Sequence, residues 1–270
     1  MRCNPLLATL LLAAAPLLDG CATTGSAPID PPLAGRLFTD LRPSQVDTLV
    51  LVVHGDGWGS QPPLAHFAFA ERASRAVHDG AAVALIRPGY GEGAVSATPA
   101  GGNGEGYTAE TVRQLADTVR AYRQRYPRAA TVLVGDGGGA ALVANLAGTH
   151  PALVDSMLLV SCPCTLPEWR ALMARQRPEA GFRQPVNSLD PLQTVGGIAT
   201  TTRTAIVVGE DDPLTPPRFS RTYAEALALR GIAVDFRRVP GKGHGLLDDP
   251  ETIQALARLA APVARTVATK

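Results

Sequence analysis

Four segments of this chain place residues that can exchange protons beside turn-forming glycine or proline. Each segment follows a short run rich in residues that favour β-strands: His54-Gly55-Asp56-Gly57, Gly135-Asp136-Gly137-Gly138, Glu210-Asp211-Asp212-Pro213 and Lys242-Gly243-His244-Gly245. Histidine and aspartate are frequent general acids and bases in proteins. His244 stands between glycines and not on an apolar helix face, which favours a chemical role over burial in a core. Proton transfer is therefore the chemistry to test, and it requires these turns to lie close together.

The elements around these turns predict a mostly parallel sheet with helices on both faces. From residue 47 onward, short β-rich runs alternate with longer helical patterns. Because the runs are nearly continuously apolar, we predict strands buried on both faces at 48–53, 82–86, 131–134, 157–160, 204–208 and 234–239. The four turns then lie where strands end, which is the edge at which open α/β sheets bind ligands.

Helical patterns connect the predicted strands. One apolar stripe runs from 112 to 126 and is ended by Pro127, and an all-apolar helix is predicted at 140–147. A later helix ends at Gly231, and the last one begins with Asp249 as its cap and Pro250 in its first turn. Scattered prolines interrupt the alternation from about 163 to 198, which predicts a short lid.

The order and sequence of the turns resemble the α/β-hydrolase fold family. Residues 131–142 align without a gap with the family's nucleophile elbow, Val-Gly-His-Ser-Gly-Gly-Ala-Ala-Leu, but Asp136 replaces the histidine and Gly137 replaces the serine. An acid loop and then a histidine loop follow the elbow, in the family's order. The resemblance implies one α/β domain over residues 33–270, with a mostly parallel central sheet, helices on both faces and a short lid.

The resemblance also implies roles for individual residues. Asp212 matches the acid, His244 the base and Gly137 the nucleophile position, while the backbone amides of Asp56 and Gly138 match the donors of the oxyanion hole. The implied ancestral activity is hydrolysis of a small ester or amide, in the manner of esterase-like and peptidase-like members.

A glycine at position 137 changes the expected mechanism. The family's serine attacks the substrate carbonyl, whereas Gly137 has no side chain with which to form a covalent intermediate. We therefore expect serine-type turnover to be lost or weak and the cleft still to bind ligand. Direct activation of water by His244 and Asp212 remains open.

Two alternative interpretations use the same glycine-rich turn. Shifting the elbow by one residue makes Asp136 the nucleophile, as in haloalkane dehalogenases, although those enzymes carry a halide-binding tryptophan where this chain has Gly137, and Trp58 is no obvious substitute. Residues 135–140 also match the dinucleotide pattern G-x-G-x-x-A, but the acid expected at the end of the following strand is missing.

The first 32 residues predict export and membrane anchoring. Residues 1–20 have the short n-region and apolar h-region of a signal peptide, and Leu18-Asp19-Gly20-Cys21 resembles a bacterial lipobox in which Cys21 is lipidated. Ala22 resembles the sorting signal for the outer membrane, and residues 21–32 form a polar tether. We expect a lipid-anchored protein of the bacterial cell envelope, on the outer membrane and facing the periplasm. An ordinary cleaved signal peptide is the alternative.

The two remaining cysteines and the net charge indicate the redox state and the partners to expect. Cys162 and Cys164 are candidates for a structural disulfide in an oxidising compartment, or for two free thiols. The net charge of +1, with dispersed basic residues, gives no sign of a nucleic-acid partner. We expect a small-molecule ester or amide ligand and a membrane partner through Cys21, with no metal and no cofactor.

Overall fold

The computed structural model of the chain describes residues 30–56, 65–90 and 102–261. They form a seven-stranded sheet in the order β1-β3-β2-β4-β5-β6-β7. Its strands are β1 Gly35–Phe38, β2 Thr48–Val53, β3 Gly80–Leu85, β4 Ala130–Asp136, β5 Ser156–Val160, β6 Arg203–Gly209 and β7 Val234–Val239. Only β1 is antiparallel to its neighbour, so the sheet is mostly parallel as predicted.

All six predicted strands are present, and β2 and β7 have the predicted bounds. Burial on both faces is wrong for β7, because β7 is the last strand of the sheet and exposes Arg237 and Arg238. The sequence did not indicate β1, which has four residues and pairs only along β3. Because β1 is too short to show a periodic pattern in the sequence, it is defined by its pairing with β3.

Helices cover both faces of the sheet. Along β2, Leu49, Leu51 and Val53 belong to one apolar cluster, while Val50 and Val52 belong to another. The first cluster contains residues of α2 Ala109–Arg125, α3 Gly138–Thr149, α4 Leu166–Gln176 and α6 Pro217–Leu229. The second contains residues of α1 Ala65–Ala76 and α7 Pro250–Ala260. Successive residues of a strand point to opposite faces of the sheet, so apolar side chains lie on both faces and a layer of helices covers each of them.

Local signals explain the ends of several helices. The Asp249 side chain accepts a hydrogen bond from the Glu251 amide at the start of α7, and Gly231 follows α6 with a φ of 76°. Both ends were predicted. Helix α3 is buried almost throughout its length, as its all-apolar sequence predicted.

The predicted lid segment, 163–198, contains α4 and the short α5 Pro191–Thr194. Trp169, Met173 and Phe182 pack into the first apolar cluster. The signal peptide, Cys21 and the tether up to residue 29 lie outside the described residues, as does Trp58. Across 30–56, 65–90 and 102–261, no helix is both long and apolar enough to cross a membrane.

Candidate active site

The predicted site residues meet at the carboxyl edge of the sheet. Asp56 follows β2, Gly137 follows β4, Asp212 follows β6 and His244 follows β7. Strand β2 lies between β3 and β4, so the strand order reverses there. An open α/β sheet forms a ligand crevice at such a reversal. The fold thus brings together residues far apart in sequence.

Gly137 forms the sharp turn between β4 and α3. Its φ is 49° and its ψ is −118°, and its amide donates to the Val160 carbonyl at 2.9 Å. A Cβ built on Gly137 would lie 3.5 Å from Nε2 of His244 and 3.7 Å from Cα of Gly55, which is ordinary contact. A side chain at position 137 would therefore have room and would face the histidine.

The neighbouring glycines are required for a different reason. A Cβ on Gly135 would lie 2.4 Å from Cα of Ala140, and one on Gly139 would lie 2.2 Å from the Val53 carbonyl oxygen. Strand and helix pass too close there for any side chain. Gly137 differs because only its backbone conformation disfavours a side chain.

Asp212 and His244 are joined by a hydrogen bond. Nδ1 of His244 lies 2.9 Å from Oδ2 of Asp212, whose side chain is fully buried. The Thr215 hydroxyl donates to the same Asp212 oxygen at 2.6 Å, and the amides of Leu214 and Thr215 donate to Oδ1 at 2.8 and 2.9 Å. This carboxylate is positioned to orient the imidazole with Nε2 towards Gly137.

Both members of the pair have shifted pKa values. Burial lowers the pKa of His244, but the hydrogen bond that the ring donates to Asp212 and the charges of Asp212, Asp136 and Asp56 outweigh it, so the pKa is raised overall. Burial raises the pKa of Asp212, but its bonds to His244 and Thr215 lower it overall. The neutral form of His244, which is the form that can act as a base, is therefore reached at higher pH than in a free imidazole.

Asp56 belongs to a buried network that the sequence did not indicate. Its Oδ1 accepts from Nη1 of Arg87 at 2.8 Å, and its Oδ2 accepts from the Tyr107 hydroxyl at 2.5 Å. Arg87 follows β3 at the same edge, and its side chain is 2% exposed. Its position after a strand was the only available signal, whereas Tyr107 lies in a loop without one.

His54 holds this network and does not face the cleft. Its Nε2 accepts the Arg87 amide at 3.1 Å, and its Nδ1 lies 2.7 Å from the Gly55 carbonyl oxygen. Burial, followed by the charge of Arg87, lowers the pKa of His54 to about 3. His54 is therefore a neutral structural residue at physiological pH.

Asp136 lies beside the elbow, and its side chain is close to Gly55. Its Oδ2 would lie 3.3 Å from a Cβ on Gly55, and its buried Oδ1 has no hydrogen-bond partner within the described parts of the chain. Burial raises its pKa to about 6, with further increases from the charges of Asp56 and Asp212 and a decrease from that of His244. Among the described residues, Gly137 lines the cavity and Asp136 does not.

The backbone of His244 is held from β5. Ser161 has a φ of 47°, which is unusual for a residue other than glycine, and its hydroxyl donates to the His244 carbonyl at 2.9 Å. The next residue, Cys162, is joined to Cys164 in a disulfide, and both are buried. The intervening Pro163 lines the cavity.

A cavity of about 90 Å³ lies over the elbow. Apolar side chains form much of its wall, and the turn and His244 form its floor. Its lining residues are Asp56, Gly102, Gly137, Gly138, Pro163, Trp169, Met173, Arg177, Leu214, Thr215 and His244. The lining combines apolar side chains with a few polar groups, as the lining of ligand pockets generally does.

A possible group of metal ligands lies elsewhere. Asp47, His78 and Asp79 bring three ligand atoms within 4.8 Å of one another, and all three residues are exposed. They precede β2 and β3, at the edge of the sheet opposite the cavity. This group takes no part in the candidate active site.

The comparisons with known proteins identify the fold. Neither a protein-family model nor a curated protein sequence matches the chain. Among solved structures, esterase PE8 is similar with a TM-score of 0.58 and 16% identity, over 84% of this chain and 96% of that one. A carboxylesterase from Mesorhizobium loti has a TM-score of 0.57 and 19% identity, over 86% and 97%.

Similarity extends to part of a larger enzyme. An acylaminoacyl peptidase from Pyrococcus horikoshii is similar with a TM-score of 0.60 and 15% identity, over 84% of this chain. The matched region is 37% of the peptidase. At these identities the likeness establishes a shared fold, while activity has to be argued from the site.

Proposed function

The chain has the α/β-hydrolase fold, and on that premise we propose that it is a lipid-anchored envelope protein whose cleft binds a small ester or amide without efficient turnover. One observation carries the proposal. A Cβ at position 137 would face Nε2 of His244 at 3.5 Å, yet the residue there is glycine. The site keeps an acid and a histidine but has no nucleophile between histidine and substrate.

The missing side chain at position 137 supports weak turnover. Gly137 cannot form an acyl-enzyme intermediate, so the only nucleophile available to the Asp212–His244 pair is water. His244 accepts a proton from water only when its ring is neutral, and its raised pKa moves that form to higher pH. We therefore expect the cleft to keep its affinity for the ligand and to lose most of its turnover.

The lining of the cavity and the similarity in fold support this ligand class. Trp169, Met173 and Leu214 offer apolar surface to a short acyl chain, while the elbow and His244 meet its polar end. Three solved structures of this fold are named as an esterase, a carboxylesterase and an acylaminoacyl peptidase, and such proteins act on ester or amide bonds. A small ester or amide suits this combination.

Restoring the nucleophile tests the proposal. Hydrolysis of p-nitrophenyl acetate is compared for the native chain, Gly137→Ser, Gly137→Ala and Gly137→Ser/His244→Ala. We expect negligible turnover by the native chain, a gain of at least about tenfold with serine alone, and loss of that gain without the histidine. Rapid turnover by the native chain, or the same rate for the serine and alanine variants, would contradict the proposal.

The anchor rests on the sequence Leu18-Asp19-Gly20-Cys21. Expression of the full chain in a Gram-negative host with a labelled fatty acid tests it. We expect label on the native chain and outer-membrane fractionation, with both lost in Cys21→Ala. Labelling that persists in Cys21→Ala would contradict lipidation at this residue.

A further inference from the structure

We propose that the Asp56 carboxylate makes the cleft exclude anions, so that it takes a neutral ligand with a hydrogen-bond donor and rejects the carboxylate of the same shape. A primary amide is such a ligand, and the acid formed by its hydrolysis is such an anion. This inference rests on the proposed function, because it concerns which ligand the same cleft accepts.

The position of Asp56 carries the inference. Asp56 and Gly138 both line the cavity, and both carboxylate oxygens would lie 2.4 Å from a Cβ on Gly138. Gly138 is the first residue of α3, and its amide is the predicted donor to a negatively charged oxygen. A carboxylate beside that amide repels an anionic ligand and attracts a donor.

The carboxylate is held in place by two buried groups. Arg87 donates to Oδ1 at 2.8 Å and also to the His54 carbonyl at 3.3 Å, while the Tyr107 hydroxyl donates to Oδ2 at 2.5 Å. Tyr107 is fully buried. A carboxylate oxygen can accept two hydrogen bonds, so each oxygen of Asp56 can accept one more from a ligand.

Two cations near the elbow are paired with acids. Arg87 is paired with Asp56, and His244 is paired with Asp212 at 2.9 Å. Asp136 adds a further carboxyl group close to the elbow, and its Oδ1 has no partner inside the described ranges. Arg177 also lines the cavity and is half-buried. Beside Gly138, the charged group that the cavity presents is the Asp56 carboxylate.

A matched pair of ligands tests the inference. Propionamide and propionate have nearly the same shape, and their dissociation constants are measured at pH 7.5 by NMR, with the indole N–H of Trp169 as reporter. We expect the native chain to bind propionamide at least about tenfold more tightly than propionate, and Asp56→Asn to reduce that ratio at least about tenfold. Asp117→Asn, which alters an acid paired with Arg113 and Arg120 on α2, should leave the ratio unchanged.

A second variant guards against misfolding. Asp56→Asn leaves the buried Arg87 without its acid, whereas Asp56→Asn/Arg87→Gln replaces the ion pair with a neutral pair. Both variants are checked by circular dichroism, and the double variant should lower the ratio in the same way. Equal affinity of the native chain for both ligands, or an unchanged ratio in a folded variant, overturns the inference alone. Failure of every folded variant to bind either ligand overturns the proposed function and this inference with it.

Discussion

Gly137 and His244 face each other across the cleft, with Nε2 of the histidine 3.5 Å from the point where a Cβ on the glycine would lie. The backbone makes a sharp turn at Gly137 with a φ of 49°, and the residue there has no side chain that could act as a nucleophile.

Activity restored by Gly137→Ser should depend on pH in the direction set by His244. Its raised pKa means that the imidazole becomes neutral above the 6.5 of a free imidazole. We expect kcat/KM for p-nitrophenyl acetate to rise with pH through a midpoint above 6.5 and then level off. A midpoint clearly below 6.5 would show that the acids around His244 do not hold its proton.

The titration of His244 can be measured without activity. In NMR spectra of the native chain, we expect the His244 ring to titrate above 6.5 and the His150 ring below it, since burial, with the charge of Arg120, lowers the pKa of His150. Asp212→Asn should move the His244 midpoint downward and leave that of His150 in place. Identical midpoints in the native chain and this variant would contradict the assignment of Asp212 as the main partner.

Asp136 should make stability fall as pH rises. Its pKa is raised to about 6 when folded and is about 3.9 when unfolded, so between these values the folded state binds more protons. The free energy of unfolding should therefore decline from about pH 4 to pH 6 through this group. We expect Asp136→Asn to be more stable than the native chain at pH 7.5 by about 1–3 kcal/mol, with the difference disappearing near pH 4. Urea unfolding at the two pH values measures it, and a difference independent of pH would count against the shift.

Substitutions at adjacent glycines should separate strain from crowding. Gly137→Ala meets only ordinary contacts but has a positive φ, so we expect a loss of about 1–3 kcal/mol from backbone strain. Gly138→Ala has no positive φ, but it places a Cβ within 2.5 Å of the Asp56 and Tyr107 side-chain oxygens and should cost more. Gly196→Ala, where nothing lies within 4 Å and φ is not positive, is the control and should be close to neutral. Thermal unfolding gives the order, and a Gly138 variant as stable as the Gly137 variant would contradict the packing.

Ser161 should contribute through its hydrogen bond to the His244 carbonyl. We expect Ser161→Ala to lower the free energy of unfolding by about 0.5–1.5 kcal/mol. Introduced into Gly137→Ser, the same substitution should lower the esterase activity several-fold. Ser220→Ala is a matched control, because the buried Ser220 hydroxyl has no hydrogen-bond partner in the described part of the structure and its removal should be neutral or stabilising. Equal costs for the two substitutions would argue against a specific role for Ser161.

Patterns along the chain were enough to predict the six longer strands, the two-layered covering of helices and the positions of Asp212 and His244. These features depend on the alternation of apolar runs and on turns that follow strands, which are local properties of sequence. The same patterns placed Gly137 at the elbow, and the structure puts residue 137 opposite Nε2 of His244.

The network around Asp56 could not be predicted in this way. Arg87 is 31 residues from Asp56 in the chain, and Tyr107 is 51 residues away. Their contacts exist because the ends of β2 and β3 and the loop before α2 meet at one edge of the sheet, and neither spacing nor periodicity encodes that meeting. Local patterning determines which segments become strands and where their turns fall. The identity of the groups beside the elbow is decided only when the sheet assembles, because burial and charge pairing act between residues that meet in space.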